Sequence, residues 1–112
     1  MTITETIIPG VLAEINEIVN AILNAVPVLE IYLFGSFANG NAGEDRDYDF
    51  YVVIPDDGIR AREATLRIHE SITAQTRGID MFVGTLSKFN KYKNTISFIE
   101  GEVARTGVKL HG

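Results

Sequence analysis

Apolar residues near the start of the chain recur at the spacing of one helical face. The positions are Val11, Leu12, Ile15, Ile18, Val19, Ile22, Leu23 and Val26. Because side chains three and four apart lie on the same side of a helix, this stripe predicts an amphipathic helix over residues 11–26. Pro9 can occupy its first turn, and Pro27 ends it because proline cannot continue a helix.

Three later segments have the apolar, β-rich composition of strands. They are Leu29–Phe34, Asp47–Ile54 and Ile79–Thr85. The second segment alternates polar and apolar residues, whereas the third is apolar except for Asp80. Between the first two, residues 35–46 are rich in glycine, asparagine and acids, which predicts a loop.

Helical patterns fill the remaining segments. A helix is predicted from about Ile59 to Thr76, capped by Asp56 and Asp57 and ended by Gly78. Its inner face would carry Ala61, Thr65, Ile68 and Ile72. After the third strand come the basic segment Ser87–Lys93, a helix near Thr95–Arg105 and a short edge strand at Val108–Leu110. This order predicts one α/β domain over residues 1–112, with helices packed against a sheet.

The composition is that of a globular domain without cross-links. The chain has 112 residues, of which 46% are hydrophobic and 22% charged, and it contains no cysteine. A disulfide scaffold, a thiol nucleophile and a cysteine-ligated zinc site are therefore excluded. Polar residues such as Glu14 and Asn16 interrupt the longest apolar region, and no basic residue precedes it. We therefore expect neither a membrane span nor a secretory signal, and we expect a cytoplasmic protein.

Charge is distributed unevenly along the chain. Residues 1–58 hold ten acids and one base, a net charge of −9, whereas residues 59–112 hold five acids and nine bases, a net charge of +4. The acidic front half argues against binding along a nucleic-acid backbone, which needs a basic surface. It suits a metal site or a basic partner. His69 and His111 have no spacing typical of metal ligands.

Candidate chemistry lies at the ends of the predicted strands. Asp47 and Asp49 project from the same face of a strand, and two carboxylates held this way favour a bound Mg²⁺ or Mn²⁺. Gly35 and Ser36 follow a buried strand, where backbone amides and a hydroxyl can hold phosphate oxygens. Asp80 would gain a partner by sharing that metal. Taken singly, each has an ordinary structural explanation: an acidic pair on an exposed strand, a turn, and a strand-capping aspartate.

The combined pattern resembles a known family. Gly35-Ser36, ten residues, Asp47-x-Asp49 and a later strand with Asp80 resemble the minimal nucleotidyltransferases of the DNA polymerase β superfamily. The resemblance covers nearly the whole chain and implies a polymerase β-like core, a small mixed sheet flanked by helices. Two positions depart from the family: Asn39 stands where arginine is common, and Arg46 where serine is common.

The resemblance implies a two-metal nucleotidyl transfer from ATP. Asp47, Asp49 and Asp80 would hold two Mg²⁺ or Mn²⁺ ions, and Asp80 would take the proton of the acceptor hydroxyl. Gly35 and Ser36 would hold the β- and γ-phosphates, with Asp47 and Asp49 carrying the triphosphate through a metal. Lysines of the basic segment are further phosphate-binding candidates or a solvated helix start: Lys88, Lys91 and Lys93.

The resemblance also implies a partner. Minimal nucleotidyltransferases are often paired with a helical HEPN ribonuclease toxin and act as antitoxins by adenylylating a toxin tyrosine. A lobe this small cannot enclose a nucleotide, so a HEPN-type protein or a second copy in a homodimer would supply the other wall. One alternative is a binding module that neutralises its partner with little or no chemistry. Another is an antibiotic-modifying nucleotidyltransferase, although such chains are longer.

Overall fold

The computed structural model describes residues 11–35, 47–72 and 78–112. In chain order, the elements are α1 (Val11–Ala25), β1 (Glu30–Phe34), β2 (Tyr48–Ile54), α2 (Ala61–Ser71), β3 (Ile79–Thr85), α3 (Leu86–Tyr92), α4 (Ile99–Thr106) and β4 (Val108–His111). The first predicted helix and all predicted strands are confirmed to within a residue at each end. Pro9 and residues 36–46, which include Asn39 and Arg46, lie outside the described residues.

The four strands form one mixed sheet in the order β3-β2-β1-β4. Strand β1 is antiparallel to both β2 and β4, whereas β2 and β3 are parallel. A parallel pair needs a crossover, and α2 lies in the connection between these two strands. The predicted fold class, a small mixed sheet flanked by helices, is confirmed.

Different helices cover the two faces of the sheet. Helices α1 and α2 bury the larger core, to which β2 contributes Tyr48, Phe50, Val52 and Ile54. The opposite face carries a smaller cluster beneath α3 and α4, made of Phe34, Tyr51, Val53, Phe89 and Val103. Because strand side chains alternate between faces, even-numbered residues of β2 line the first core and odd-numbered residues face the other helices.

Helix α2 is shorter than the sequence pattern predicts. Its last helical residue is Ser71, because Ile72 already has extended backbone with φ −92° and ψ 111°. The prediction that it continues to Thr76 and is ended by Gly78 is therefore wrong. Its buried face is formed by Ala64 and Ile68.

The predicted aspartate cap of α2 is also wrong. Arg60 occupies the N-cap position, and its side chain makes no capping hydrogen bond. Asp56 instead accepts hydrogen bonds from the backbone N–H of Ser87 (2.9 Å) and from the Ser87 hydroxyl, at the start of α3. A carboxylate accepts the free N–H groups of whichever helix start lies closest in space, and here that helix is 31 residues away.

The last part of the chain contains two helices. The basic segment lies largely in α3, and the helix predicted from Thr95 begins only at Ile99, after a turn in which the Phe98 N–H donates to the Thr95 carbonyl (3.2 Å). Within the described ranges, no helix is long and apolar enough to cross a membrane.

Candidate active site

Three strand ends meet at one end of the sheet. Because β1 and β2 are antiparallel, Phe34 at the end of β1 lies opposite Asp49 near the start of β2. Because β2 and β3 are parallel, Asp49 also lies beside Asp80. Gly35 follows Phe34 directly, so the glycine turn and both aspartates lie together. Ser36, the other predicted phosphate-binding residue, lies outside the described residues.

Asp47 and Asp49 lie on the same face of the sheet. Asp49 points away from the core that buries Tyr48 and Phe50. Asp47 precedes β2, and its carboxylate lies over Gly78, where an added Cβ would come within 2.7 Å of Asp47 Oδ1. The missing side chain at Gly78 leaves the space that the Asp47 carboxylate occupies.

The electrostatics of the site centre on Asp49. Partial burial and the neighbouring Asp80 raise the pKa of Asp49 to about 6, and Glu102 and Asp47 act in the same direction. The Asp80 side chain raises the pKa of Asp49 in two ways, through its negative charge and through its hydrogen-bonding proximity. Carboxylates this close repel one another when ionised, so the cluster favours either a retained proton or a bound cation.

Glu102 adds a further negative charge near Asp49, which the sequence did not reveal. It lies in the first turn of α4, and its charge raises the pKa of Asp49 on β2. The sequence shows only an acid in a predicted helix. Which strand that helix approaches depends on packing between distant segments, so no local pattern could identify this electrostatic effect.

The chemical type of the available ligands suits a hard divalent cation. Asp47, Asp49 and Asp80 offer carboxylate oxygens, which Mg²⁺ and Mn²⁺ prefer, and the charges that raise the pKa of Asp49 are all carboxylates. Among the described residues, no three such side chains are close enough together in this conformation to hold a metal ion. A bound cation would therefore have to draw the carboxylates together.

A buried polar contact fixes α4 against the strand that carries Asp49. The Tyr51 hydroxyl donates to the Glu100 carboxylate at 2.6 Å, and Lys88 Nζ lies 3.8 Å from the same carboxylate. Burial, followed by the hydrogen bond to Glu100, raises the pKa of Tyr51 well above its usual range. Lys88, a predicted phosphate-binding candidate, is therefore directed to Glu100 rather than to the aspartates.

Comparison with protein families places this chain in a known class. The family described as "Nucleotidyltransferase domain" matches residues 12–104, which include all three aspartates. The chain belongs to this nucleotidyltransferase family. Nucleotidyl transfer is therefore the general class of chemistry for this domain, and such domains generally use divalent metals and nucleoside triphosphates. No curated protein matches the chain.

Two solved structures share the fold of this nucleotidyltransferase domain. One, described as a toxin-antitoxin with AMP-PNP, is 22% identical, with a TM-score of 0.58 over 87% of this chain and 72% of that chain. The other is a provisionally assigned nucleotidyltransferase from Sulfolobus solfataricus, 18% identical, with a TM-score of 0.57 over 83% of this chain and 72% of that chain. At these identities the similarity establishes the fold.

Proposed function

We propose that this domain transfers AMP from ATP to a protein hydroxyl, a tyrosine of a HEPN-type partner, and so acts as an antitoxin. The observation that carries the proposal is the register that sets Asp49 beside Asp80, with Gly35 and Asp47 at the same end of the sheet. The similarity to a toxin-antitoxin structure with AMP-PNP supports an adenine nucleotide and a protein partner.

In the proposed reaction, the acceptor hydroxyl oxygen forms a bond to the α-phosphorus of ATP. The bond from that phosphorus to the oxygen bridging to the β-phosphate breaks, and pyrophosphate leaves. The hydroxyl proton passes to the carboxylate of Asp80, which lies on an edge strand and is exposed. Gly35 and Ser36 would hold the β- and γ-phosphates and align the bond that breaks.

Asp47, Asp49 and Asp80 are the residues that would hold two Mg²⁺ or Mn²⁺ ions. When bound, such ions neutralise phosphate charge and lower the pKa of an acceptor hydroxyl. The raised pKa of Asp49 is the expected property of a carboxylate group that is not yet balanced by positive charge.

The test is transfer of label from ATP labelled at the α-phosphate. The protein, purified with the partner that accompanies it in its host, is incubated with Mg²⁺ and labelled ATP, alongside the Asp47→Ala, Asp49→Ala double variant. Asp57→Ala is the matched control, because Asp57 is an exposed acid beyond the opposite end of β2. We expect label on the partner with wild type and the control, and none with the double variant.

A binding module that neutralises its partner without chemistry is the second candidate. It is favoured by one observation, that no three described carboxylates converge as they lie. An intact complex without label on any protein would contradict nucleotidyl transfer to the partner. Protection of cells by the double variant would then establish the binding-module function.

A further inference from the structure

Strand β3 forms one edge of the sheet. The Gly78 carbonyl accepts the Tyr48 N–H at 3.0 Å, so the peptide groups of Gly78 face β2. Alternate residues of a strand direct their peptide groups to opposite sides. Ile79, Met81 and Val83 therefore direct their N–H and C=O groups outward, away from β2.

This outer edge is open among the described residues. None of them makes a backbone hydrogen bond to Ile79, Met81 or Val83 from the outer side. Sheet edges that avoid pairing usually carry proline, charged side chains or a bulge. Strand β3 has no proline and no bulge, since its register with β2 is continuous over all seven residues, and its one charged residue is Asp80 of the proposed active site.

Asp80 lies on this edge strand, within the proposed active site. A residue of an added strand opposite Asp80 would point to the same face, with its Cβ about 4.5–5.5 Å from that of Asp80. Its side chain would therefore reach the carboxylate cluster directly. Two residues further along β3 on the same face, Phe82 is 38% exposed and its ring contacts Phe34, with 5.8 Å between ring centroids.

We propose that the outer edge of β3 binds an extended segment of the acceptor protein, which adds as a fifth strand and presents its hydroxyl side chain to Asp80. This rests on the proposed function. Asp47, Asp49, Asp80 and Glu102 make the face acidic, so the complementary segment carries basic residues and no acids. The exposed Phe82 ring favours an apolar residue two positions from the hydroxyl. The hydroxyl oxygen bonds to the α-phosphorus, pyrophosphate leaves, and the proton passes to Asp80.

The probe is a set of synthetic peptides of about ten residues. The parent peptide has one tyrosine, phenylalanine two positions before it, β-branched residues elsewhere and lysine at both ends. Each derivative carries one N-methyl group on a different backbone nitrogen.

Strand addition predicts that labelling from α-labelled ATP alternates along the series, falling about tenfold or more where the N–H faces β3 and little at the intervening positions. The phase of the alternation distinguishes antiparallel from parallel addition. A series without alternation would overturn the proposal.

Amide hydrogen exchange separates docking from transfer. On addition of the parent peptide without ATP, we expect slower exchange at the amides of Ile79, Met81 and Val83, with Asp80 and Phe82 little changed. Slower exchange without labelling would support docking and contradict the proposed transfer. Labelling without slower exchange would support transfer and contradict docking. If neither labelling nor slower exchange is observed, the proposed transfer and the proposed docking are both wrong.

A pair of variants tests the same edge from the protein side. Met81→Pro removes an outward N–H, a position at which an edge strand tolerates proline, and Met81→Ala truncates the same side chain while keeping that N–H. We expect Met81→Pro alone to lose peptide labelling about tenfold or more. If Met81→Pro does not fold, the N-methyl peptide series alone tests whether the peptide adds to the edge of β3. If it changes only the oligomeric state and not peptide labelling, the edge pairs with a second copy and the proposal is wrong.

Discussion

Asp49 retains its proton to a higher pH in the folded protein than in the unfolded chain. Partial burial and Asp80 raise its folded pKa to about 6, whereas an aspartate in an unfolded chain has a pKa of about 3.9. Between these values the folded state binds more protons than the unfolded state. The stability that Asp49 contributes is therefore fully present below about pH 4 and is lost as the pH rises through about 6.

We expect this effect to be visible in unfolding measurements. Without divalent cations, Asp49 should lower the free energy of unfolding by about 1–2 kcal/mol between about pH 4 and pH 7, after allowance for solvent screening at a partly exposed site. Asp49→Asn should remove this contribution and be more stable than wild type at neutral pH, while transferring no nucleotide. Urea unfolding measures the first effect and labelling the second. Asp57→Asn is the control, and an unchanged pH dependence in Asp49→Asn would contradict the assignment.

Gly35 is a second residue whose identity the geometry constrains. Its φ is +74°, in the region that favours glycine, and an added Cβ would collide with Asp49 Oδ2. We expect Gly35→Ala to lower the free energy of unfolding by about 1–3 kcal/mol and to reduce transfer by displacing Asp49. Gly58→Ala is the matched control, because nothing lies within 4 Å of its added Cβ. Equal stability of the two variants would show that Gly35 is not constrained.

At the scale of elements, α4 depends on β2 for its position. The buried Glu100 carboxylate accepts the Tyr51 hydroxyl, and Val103 of the same helix packs on the same face of the sheet. Glu102 lies on this helix, so the contact that anchors α4 also brings a fourth carboxylate towards Asp49.

Removal of that anchor has a predictable cost. Tyr51→Phe keeps the ring but leaves the buried Glu100 without its hydroxyl donor, so we expect a loss of about 2–3 kcal/mol in the free energy of unfolding. Tyr32→Phe is the control, because that hydroxyl donates to the half-buried Glu30 at 3.2 Å, and its loss should cost less than about 1 kcal/mol. Chemical denaturation measures the free energy of unfolding of the two variants. Equal losses would show that Glu100 does not depend on Tyr51.

At the scale of the whole molecule, the helices cover both faces of the sheet and the aspartates lie at one end of it. We expect Mg²⁺ with α,β-methylene ATP, which cannot be cleaved at the α-phosphate, to stabilise the protein. At a ligand concentration about 100 times Kd the gain is about 2.7 kcal/mol, which raises Tm by roughly 10 °C for a domain of this size.

A calorimetric scan measures this rise in Tm, and two controls belong to the same experiment. The analogue with a chelator should give a much smaller rise in Tm, because the carboxylates would then face the triphosphate without a cation. The Asp47→Ala, Asp49→Ala variant should give no rise. A full rise with the chelator present would contradict the proposed metal-dependent nucleotide site.

Local periodicity was sufficient for most of the elements. The helical stripe of α1 and the alternation of β2 depend only on backbone geometry between neighbouring residues, and both were predicted to within a residue. The end of α2 was not predicted correctly, because no glycine or proline in the sequence marks the end of the helix at Ser71. The Asp56 cap was misassigned because its hydrogen-bond donor, Ser87, is distant in sequence.

The sequence by itself determined that Asp47 and Asp49 share a strand face and that Gly35 follows the end of a strand, since each of these facts depends only on local chain geometry. The tertiary structure decided which strands meet. The parallel register that joins Asp49 to Asp80, the approach of Glu102 and the open edge of β3 all depend on packing between segments far apart in the chain. Such contacts form because apolar faces must be buried together, and a local pattern does not specify which faces pair.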